Sequence, residues 1–375
     1  MAAIVSRPMI HALLLSALVA FPAVSRPPRV ALTRTEPTRQ DEAARVDAIV
    51  QEHMRTPGAV GITVAVARGE ELVYRKAYGF ADLEFAVSAD EETMFRIGSV
   101  TKQFTAALIL KLAERGKLSI DDPLTKFLPD YPTHGREITL RHLLTHTSGI
   151  KNYTALGPEW ERLKSLELPD EELVAMWKDK PLDFEPGSRW SYSNSGYYLL
   201  GMVVARVSGK SYAEFLRETF LDPLKLTRTR YDSNAEVLLN RAQGYAFEKD
   251  AFTNDDPLGM SQPGAAGALI STAGDLVRWQ QALVAGRAVK PESYEEMTMP
   301  FFLSDGHETR YGMGLQLDLR DGQRRVWHGG GINGFNSVLL YYPDAKLHVA
   351  VISNSERLRA DALGLALSKA LLDPK

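Results

Sequence analysis

The sequence predicts an α+β fold: an antiparallel sheet built from both chain ends and flanked by helices, with a largely helical inserted domain between. Three observations carry this. Strand-like runs gather in residues 61–97 and again in 311–353, helical periods dominate the stretch between, and residues 100–115 form one helix that is apolar nearly all round. A helix of that kind is buried, so it runs through the middle of the molecule. Length and composition agree with a globular chain: 375 residues, 45% hydrophobic and 24% charged. A net charge of −3 offers nothing to draw a nucleic acid or an anionic membrane surface. Zero cysteines exclude disulfides, thiolate metal sites and a cysteine nucleophile.

Taken from the start, residues 1–25 read as a signal peptide. Arg7 lies in a short basic region, residues 12–21 are apolar, and Ala23-Val24-Ser25 supplies the small residues a signal peptidase reads. The run is shorter than the roughly 20 residues of a membrane-spanning helix, and no later stretch approaches that length. Export to the periplasm or the medium is therefore expected, with no membrane span in the mature chain; an uncleaved anchor is the alternative. Residues 26–40, rich in Pro, Arg and Thr, follow as a flexible tether. The folded domain is expected over 41–375, with an α/β part at about 41–120 and 286–375 and a helical part at about 121–285.

Within it, Ala44, Val46, Ile49 and Val50 carry a helical period that ends before Pro57-Gly58. Residues 61–67 read as a strand, Arg68-Gly69-Glu70 as a turn and 71–78 as the hairpin partner. Residues 94–97 lead into the buried helix, which Gly116 closes. Helices are expected over 140–145, 170–178, 195–207, 212–220 and 273–285. Strands return at 311–319, 324–327, 337–342 and 347–353, with turns at Asp321-Gly322 and Pro343-Asp344, and a helix over 357–372 ends the chain.

Three polar clusters interrupt this pattern. In Ser99-Val100-Thr101-Lys102, a serine and a lysine three residues on share one face at a helix start, a nucleophile beside a base. Lys102 opposes the helix dipole there and burial disfavours its ammonium form, so its pKa is expected to fall toward neutrality. A neutral amine near Ser99 can take the hydroxyl proton while helix-end N–H groups hold an oxyanion. Tyr192-Ser193-Asn194 precedes an apolar helix; Tyr192 can shuttle a proton, and Asn194 can orient the lysine and bond a substrate carbonyl. In His328-Gly329-Gly330-Gly331 the glycines let backbone N–H groups approach a ligand, and the histidine titrates near physiological pH. Each cluster alone also fits a plain role as N-cap, capping loop or glycine turn. All three in this order point to a serine acyl-enzyme hydrolase.

Other chemistries fare poorly. His142 and His146, four apart on an expected helix, have a zinc-binding spacing, but Leu143 stands where a zinc protease carries Glu, so both read as structural. There is no Gly-x-Ser-x-Gly elbow and no phosphate-binding loop. Trp190 and Trp327 flank the motifs and suit a pocket wall or the core equally well.

These residues resemble the class C β-lactamase-like serine hydrolases, a family of β-lactamases, D,D-carboxypeptidases, D-aminopeptidases and esterases. Ser-x-x-Lys is shared with all penicillin-recognising enzymes, and Tyr-x-Asn rather than Ser-Asp-Asn resembles the class C branch. The likeness covers nearly the whole mature chain, including Leu143-Leu144-Thr145-His146-Thr147-Ser148-Gly149, Glu185-Pro186-Gly187 and residues 267–275. It implies Ser99 as nucleophile, Lys102 and Tyr192 as the proton-transfer pair and Asn194 as positioner. It also implies an oxyanion hole from the N–H groups of Ser99 and Gly331, with His328, Gly329, Gly330 and Gly331 against the substrate. The third motif departs from the pattern: His-Gly-Gly stands where true class C β-lactamases carry Lys-Thr-Gly. A mostly neutral histidine holds a substrate carboxylate less well, which lowers the expectation of efficient antibiotic hydrolysis. The expected partner is a small-molecule or peptide substrate — an ester, a D-amino-acid amide or peptide, or a β-lactam — attacked with no metal and no cofactor. A carboxylesterase with little lactam activity and a penicillin-binding sensor without turnover are the alternatives. The sequence leaves the oligomeric state open.

Overall fold

Strands from the two ends of the chain meet in one antiparallel sheet, as the computed structural model, which describes residues 39–373, makes plain. In chain order the strands are β1 (Gly61–Arg68), β2 (Glu71–Asp82), β3 (Val87–Ser88), β4 (Phe95–Arg96), β5 (Arg230–Tyr231), β6 (Tyr245–Glu248), β7 (Ala251–Asn254), β8 (Leu269–Ser271), β9 (Gln316–Arg320), β10 (Gln323–Ile332), β11 (Phe335–Tyr342) and β12 (Leu347–Ser353). The helices are α1 (Arg39–Met54), α2 (Thr101–Glu114), α3 (Leu140–Leu144), α4 (Pro158–Glu161), α5 (Asp170–Ala175), α6 (Asn194–Ser208), α7 (Tyr212–Leu216), α8 (Gly264–Gly267), α9 (Ala273–Val284), α10 (Pro291–Met297) and α11 (Ala360–Leu372). The expected signal peptide and the tether up to residue 38 lie outside the described residues; Arg39 and Gln40, placed in the tether, begin α1.

The main sheet runs β3-β2-β1-β12-β11-β10-β9. Its first and last thirds join where β1 pairs with β12, Ile62 opposite Ser353 and Arg68 opposite Leu347. Both strands are apolar and buried along nearly their whole length because both faces are covered. Ile62, Val64 and Val66 with Val349 and Val351 pack beneath α1 and α11, joined by Leu363 and Leu367. The alternate residues Ala65, Ala67 and Ala350 face the larger core that contains α2 and α9. Small side chains on that face let a helix approach closely, and α2 stacks on α9 through Phe104 and Trp279, ring centroids 3.9 Å apart. As expected, α2 is buried through most of its length, every residue from Thr101 to Leu110 included.

Three expectations about elements need correction. The strand foreseen at 311–319 is regular only over β9, because the chain folds back on itself over 312–315: Gly312 N–H donates to the Leu315 carbonyl, Leu317 N–H to the Arg310 carbonyl, and Gly314 takes φ +73°. The strand expected over 324–327 runs further: the glycines 329–331 lie within β10, which stays paired with β11 up to Ile332 opposite Phe335, so the alternative of a glycine turn does not hold. The turn is the two-residue Asn333-Gly334, a strong hairpin signal that the sequence displays openly. Finally, α9 packs on β1 and β12 although it falls in the stretch expected as a helical insertion. Short strands β4, β8 and β5 form a separate three-stranded sheet that ties the lead-in to α2 to the middle of the chain.

Candidate active site

Ser99 sits in a single 3₁₀ turn, Gly98–Val100, that runs directly into α2. Gly98 adopts φ +48°, and a Cβ there would stand 2.9 Å from the carbonyl oxygen of Gly331. Gly330 is equally confined: its Cβ would meet the Ile97 carbonyl oxygen at 2.0 Å and Ser337 Oγ at 2.3 Å. These two positions therefore require glycine, and they press the serine turn flat against β10. Ser337 Oγ reinforces the contact with a hydrogen bond to the Ile97 carbonyl at 2.8 Å.

One turn into α2, the side chain of Lys102 is fully buried. Its Nζ lies 3.2 Å from Ser99 Oγ, 2.8 Å from Asn194 Oδ1 and 2.8 Å from the Ala266 carbonyl. That carbonyl belongs to the last turn of α8, where a C=O group lacks an intrahelical partner. Burial holds the lysine well below its ordinary 10.5, which favours the neutral amine. A neutral amine has two hydrogens and one lone pair. Asn194 Oδ1 and the Ala266 carbonyl can only accept, so they take both hydrogens, and the lone pair faces the Ser99 hydroxyl. This arrangement can draw a proton off Ser99 and hold it with all three ammonium hydrogens satisfied.

The second cluster supplies the roof. Ser193 caps α6, its Oγ accepting from Gly196 N–H at 3.3 Å, which puts Asn194 in the first turn of that helix. The Asn194 amide orientation follows from its neighbours: Nδ2 donates to Thr154 Oγ1 at 3.1 Å, and Thr154 donates onward to Asn152 Oδ1 at 3.2 Å. The Tyr192 ring lies over Lys102, with Nζ 4.7 Å from its centroid. Its hydroxyl is buried without a well-formed hydrogen bond, and burial pushes the phenol up, an effect the nearby Ser99 hydroxyl partly offsets. A phenol held neutral beside a serine can receive and return a proton.

The third cluster is built differently from expectation. His328 is buried, with Nδ1 2.6 Å from the Gly329 carbonyl and Nε2 2.9 Å from the Tyr311 hydroxyl. Because a carbonyl only accepts, Nδ1 carries the hydrogen and Nε2 accepts from Tyr311. Burial pushes the ring down to about 3. The expectation that His328 titrates near physiological pH is corrected: both ring nitrogens are occupied and the ring stays neutral.

A cavity of about 220 Å³ opens at Ser99, bounded by Asn194, Gly331 and the apolar surfaces of Tyr153, Trp160, Leu258 and Ile332. Of the residues expected against substrate, Asn194 and Gly331 reach its wall, whereas His328, Gly329 and Gly330 stand behind it. Trp190 and Trp327 also lie off the cavity, the first against His146 and Tyr311, the second donating to Asp318 at 3.1 Å. Trp160, which the sequence did not single out, takes the aromatic position on the wall. His142 accepts from Thr139 N–H in a capping box while His146 bonds elsewhere, so the pair does not converge, and no metal-holding cluster occurs among the described residues. Thr154, Ala266, Tyr311 and His146 complete the site and were not foreseen there. His146 alone carried a signal, as part of the Leu143–Gly149 stretch.

Fold and site define a serine hydrolase of the β-lactamase fold. The chain belongs to the Beta-lactamase family, whose model matches residues 46–372. It is 30% identical over 310 residues to penicillin-binding protein 4* of Bacillus subtilis, covering 78% of this chain and 68% of that one. A penicillin-binding protein homologue from Pyrococcus abyssi, described as octameric, superposes with a TM-score of 0.77 at 30% identity, covering 88% of this chain and 77% of the other. D-amino acid amidase from Ochrobactrum anthropi, solved with D-phenylalanine, superposes with a TM-score of 0.77 at 25% identity, covering 88% and 100%. Among the described residues no helix is long and apolar enough to cross a membrane.

Proposed function

We propose that this protein hydrolyses an amide or ester that lacks a free carboxylate, a D-amino-acid amide foremost, through an acyl-enzyme on Ser99. The observation that carries the reading is the enclosure of Lys102: its Nζ lies 3.2 Å from Ser99 Oγ, and the Asn194 and Ala266 oxygens, each at 2.8 Å, can take both hydrogens of its neutral form. Lys102 takes the hydroxyl proton as Ser99 attacks, Tyr192 passes its own proton to the leaving group and regains one from protonated Lys102, and the N–H groups of Ser99 and Gly331 hold the oxyanion. Water then repeats the sequence on the acyl-enzyme. Asn194 positions Lys102 and meets the substrate at the cavity wall.

The cavity wall has no charged side chain among its residues, and the position that would carry a carboxylate-holding cation is the enclosed, neutral His328. Both favour substrates without a carboxylate over β-lactams that carry one, and the amidase among the structural relatives favours the amide. A short-chain esterase is the second reading, supported by the same uncharged wall. The Tyr-x-Asn motif supports the class C branch, and the N-terminal pattern supports export.

The test is labelling with a fluorophosphonate followed by intact-mass measurement and turnover assays. The wild type is expected to gain one adduct and Ser99→Ala none, with turnover of the variant down by at least about a thousandfold. D-phenylalanine p-nitroanilide and p-nitrophenyl butyrate should exceed a cephalosporin in kcat/KM. Near-normal turnover by Ser99→Ala would overturn the assignment.

A further inference from the structure

His146 is buried and adopts φ +61°, a left-handed conformation that non-glycine residues seldom take. In that conformation it makes two bonds to one short segment. Its backbone carbonyl accepts from Ser191 N–H at 2.9 Å, and its ring Nδ1 accepts from Ser193 N–H at 3.1 Å. The residues on both sides of Tyr192 are thus pinned by a single residue. The ring itself lies against the Tyr192 ring, centroids 4.3 Å apart, with Tyr197 at 5.1 Å and Tyr311 at 4.7 Å closing the cage. Since Nδ1 must accept, the ring is neutral with its hydrogen on Nε2, and burial maintains that form. Backbone strain at a buried polar residue persists only where its surroundings demand it. Here the demand is the paired grip.

We propose that His146 is a positioning residue that holds Tyr192 over the Ser99–Lys102 pair by gripping both of its chain neighbours. This rests on the reading of Tyr192 as the proton carrier. Tyr192 has no hydrogen bond of its own to fix its hydroxyl, so its placement comes from the backbone on either side. Releasing one side lets the ring drift from Ser99 while the substrate cavity, whose wall includes neither Tyr192 nor His146, stays formed. The loss then falls on kcat and leaves KM nearly alone.

The experiment compares four substitutions by steady-state kinetics on p-nitrophenyl butyrate and by thermal melting. Asn tolerates the left-handed conformation and places Oδ1 where His146 has Nδ1, whereas Gln sets its acceptor one bond further out. His146→Asn is expected to keep kcat within about threefold of wild type. His146→Gln and His146→Ala are expected to lose roughly ten- to a hundredfold in kcat with KM within about threefold. In a Tyr192→Phe background, His146→Gln should cost nothing further, because the side chain it positions is already disabled. Equal kcat for the Asn and Gln variants at equal melting temperature overturns the proposal, as does a full additional loss in the double variant. If His146→Ala fails to fold, the Asn–Gln pair decides the matter. Normal turnover by Tyr192→Phe alone strikes instead at the role given to Tyr192, a pattern distinct from an additive double variant.

Discussion

Two basic side chains are buried within the same site, and they behave in opposite ways. Lys102 and His328 are both stripped of water, and both are held below their ordinary pKa for that reason first. Around Lys102 the fixed partners are acceptors, the Asn194 amide oxygen and the Ala266 carbonyl, which consume hydrogens and leave a lone pair toward Ser99. Around His328 one acceptor and one donor, the Gly329 carbonyl and the Tyr311 hydroxyl, consume the whole neutral ring. A lowered pKa alone therefore does not mark a working base. What marks it is unspent capacity pointed at a reacting atom.

Breaking the first half of the comparison carries the largest effect. Lys102→Ala should lower turnover at least about a thousandfold, and Lys102→Arg should fare little better, because a guanidinium keeps its proton. Tyr192→Phe should cost about a hundredfold, within the range of a lost general acid–base group. Steady-state kinetics on the double variant Lys102→Ala/Tyr192→Phe should show losses well short of additive, since the two serve one proton path. Asn194→Ala removes one of the acceptors that orient the lysine and should cost roughly tenfold in kcat, measured on the same ester.

The second half predicts smaller effects. His328→Gln should leave activity within a few-fold and cost about 1–2 kcal/mol of stability through lost hydrogen bonds, measured by urea unfolding. The sign of the pH effect follows from the folded-state value near 3 against an ordinary 6.5. Below about 6.5 the unfolded chain takes a proton that the folded ring refuses, so stability is full above that pH and is lost as pH falls toward about 3. The variant should bind about one proton fewer on unfolding in that window. The ratio of cephalosporin to ester kcat/KM should not rise as pH falls from 8 to 5.5; a rise abolished by His328→Gln would restore a carboxylate-binding role to the ring.

The same contrast runs through what the sequence discloses. The Ser99–Lys102 pair was legible because a helix translates spacing directly into geometry, and an apolar helix announces its burial. The sheet from both chain ends was legible for the same reason, through the unbroken apolar runs of β1 and β12. His328 was not, since its occupation by Tyr311 depends on a side chain 17 residues away that only the tertiary fold brings against it. The glycines after it were legible as a place of close backbone approach, but what they approach, Ile97 and the serine turn, is a tertiary contact with no local signature. His146 was visible as a residue but not as a grip, because its two bonds reach more than 40 positions along the chain.

The most direct test of the central claim, that Lys102 is the neutral base for Ser99, is the pH dependence of the rate at which a fluorophosphonate acylates Ser99. The rate should be on a plateau through neutral pH and fall only on the acid side, as the lysine gains its proton, with the same profile in His328→Gln. A rate that keeps climbing through the neutral range toward the ordinary lysine value of 10.5 would show a protonated Lys102 and contradict the account.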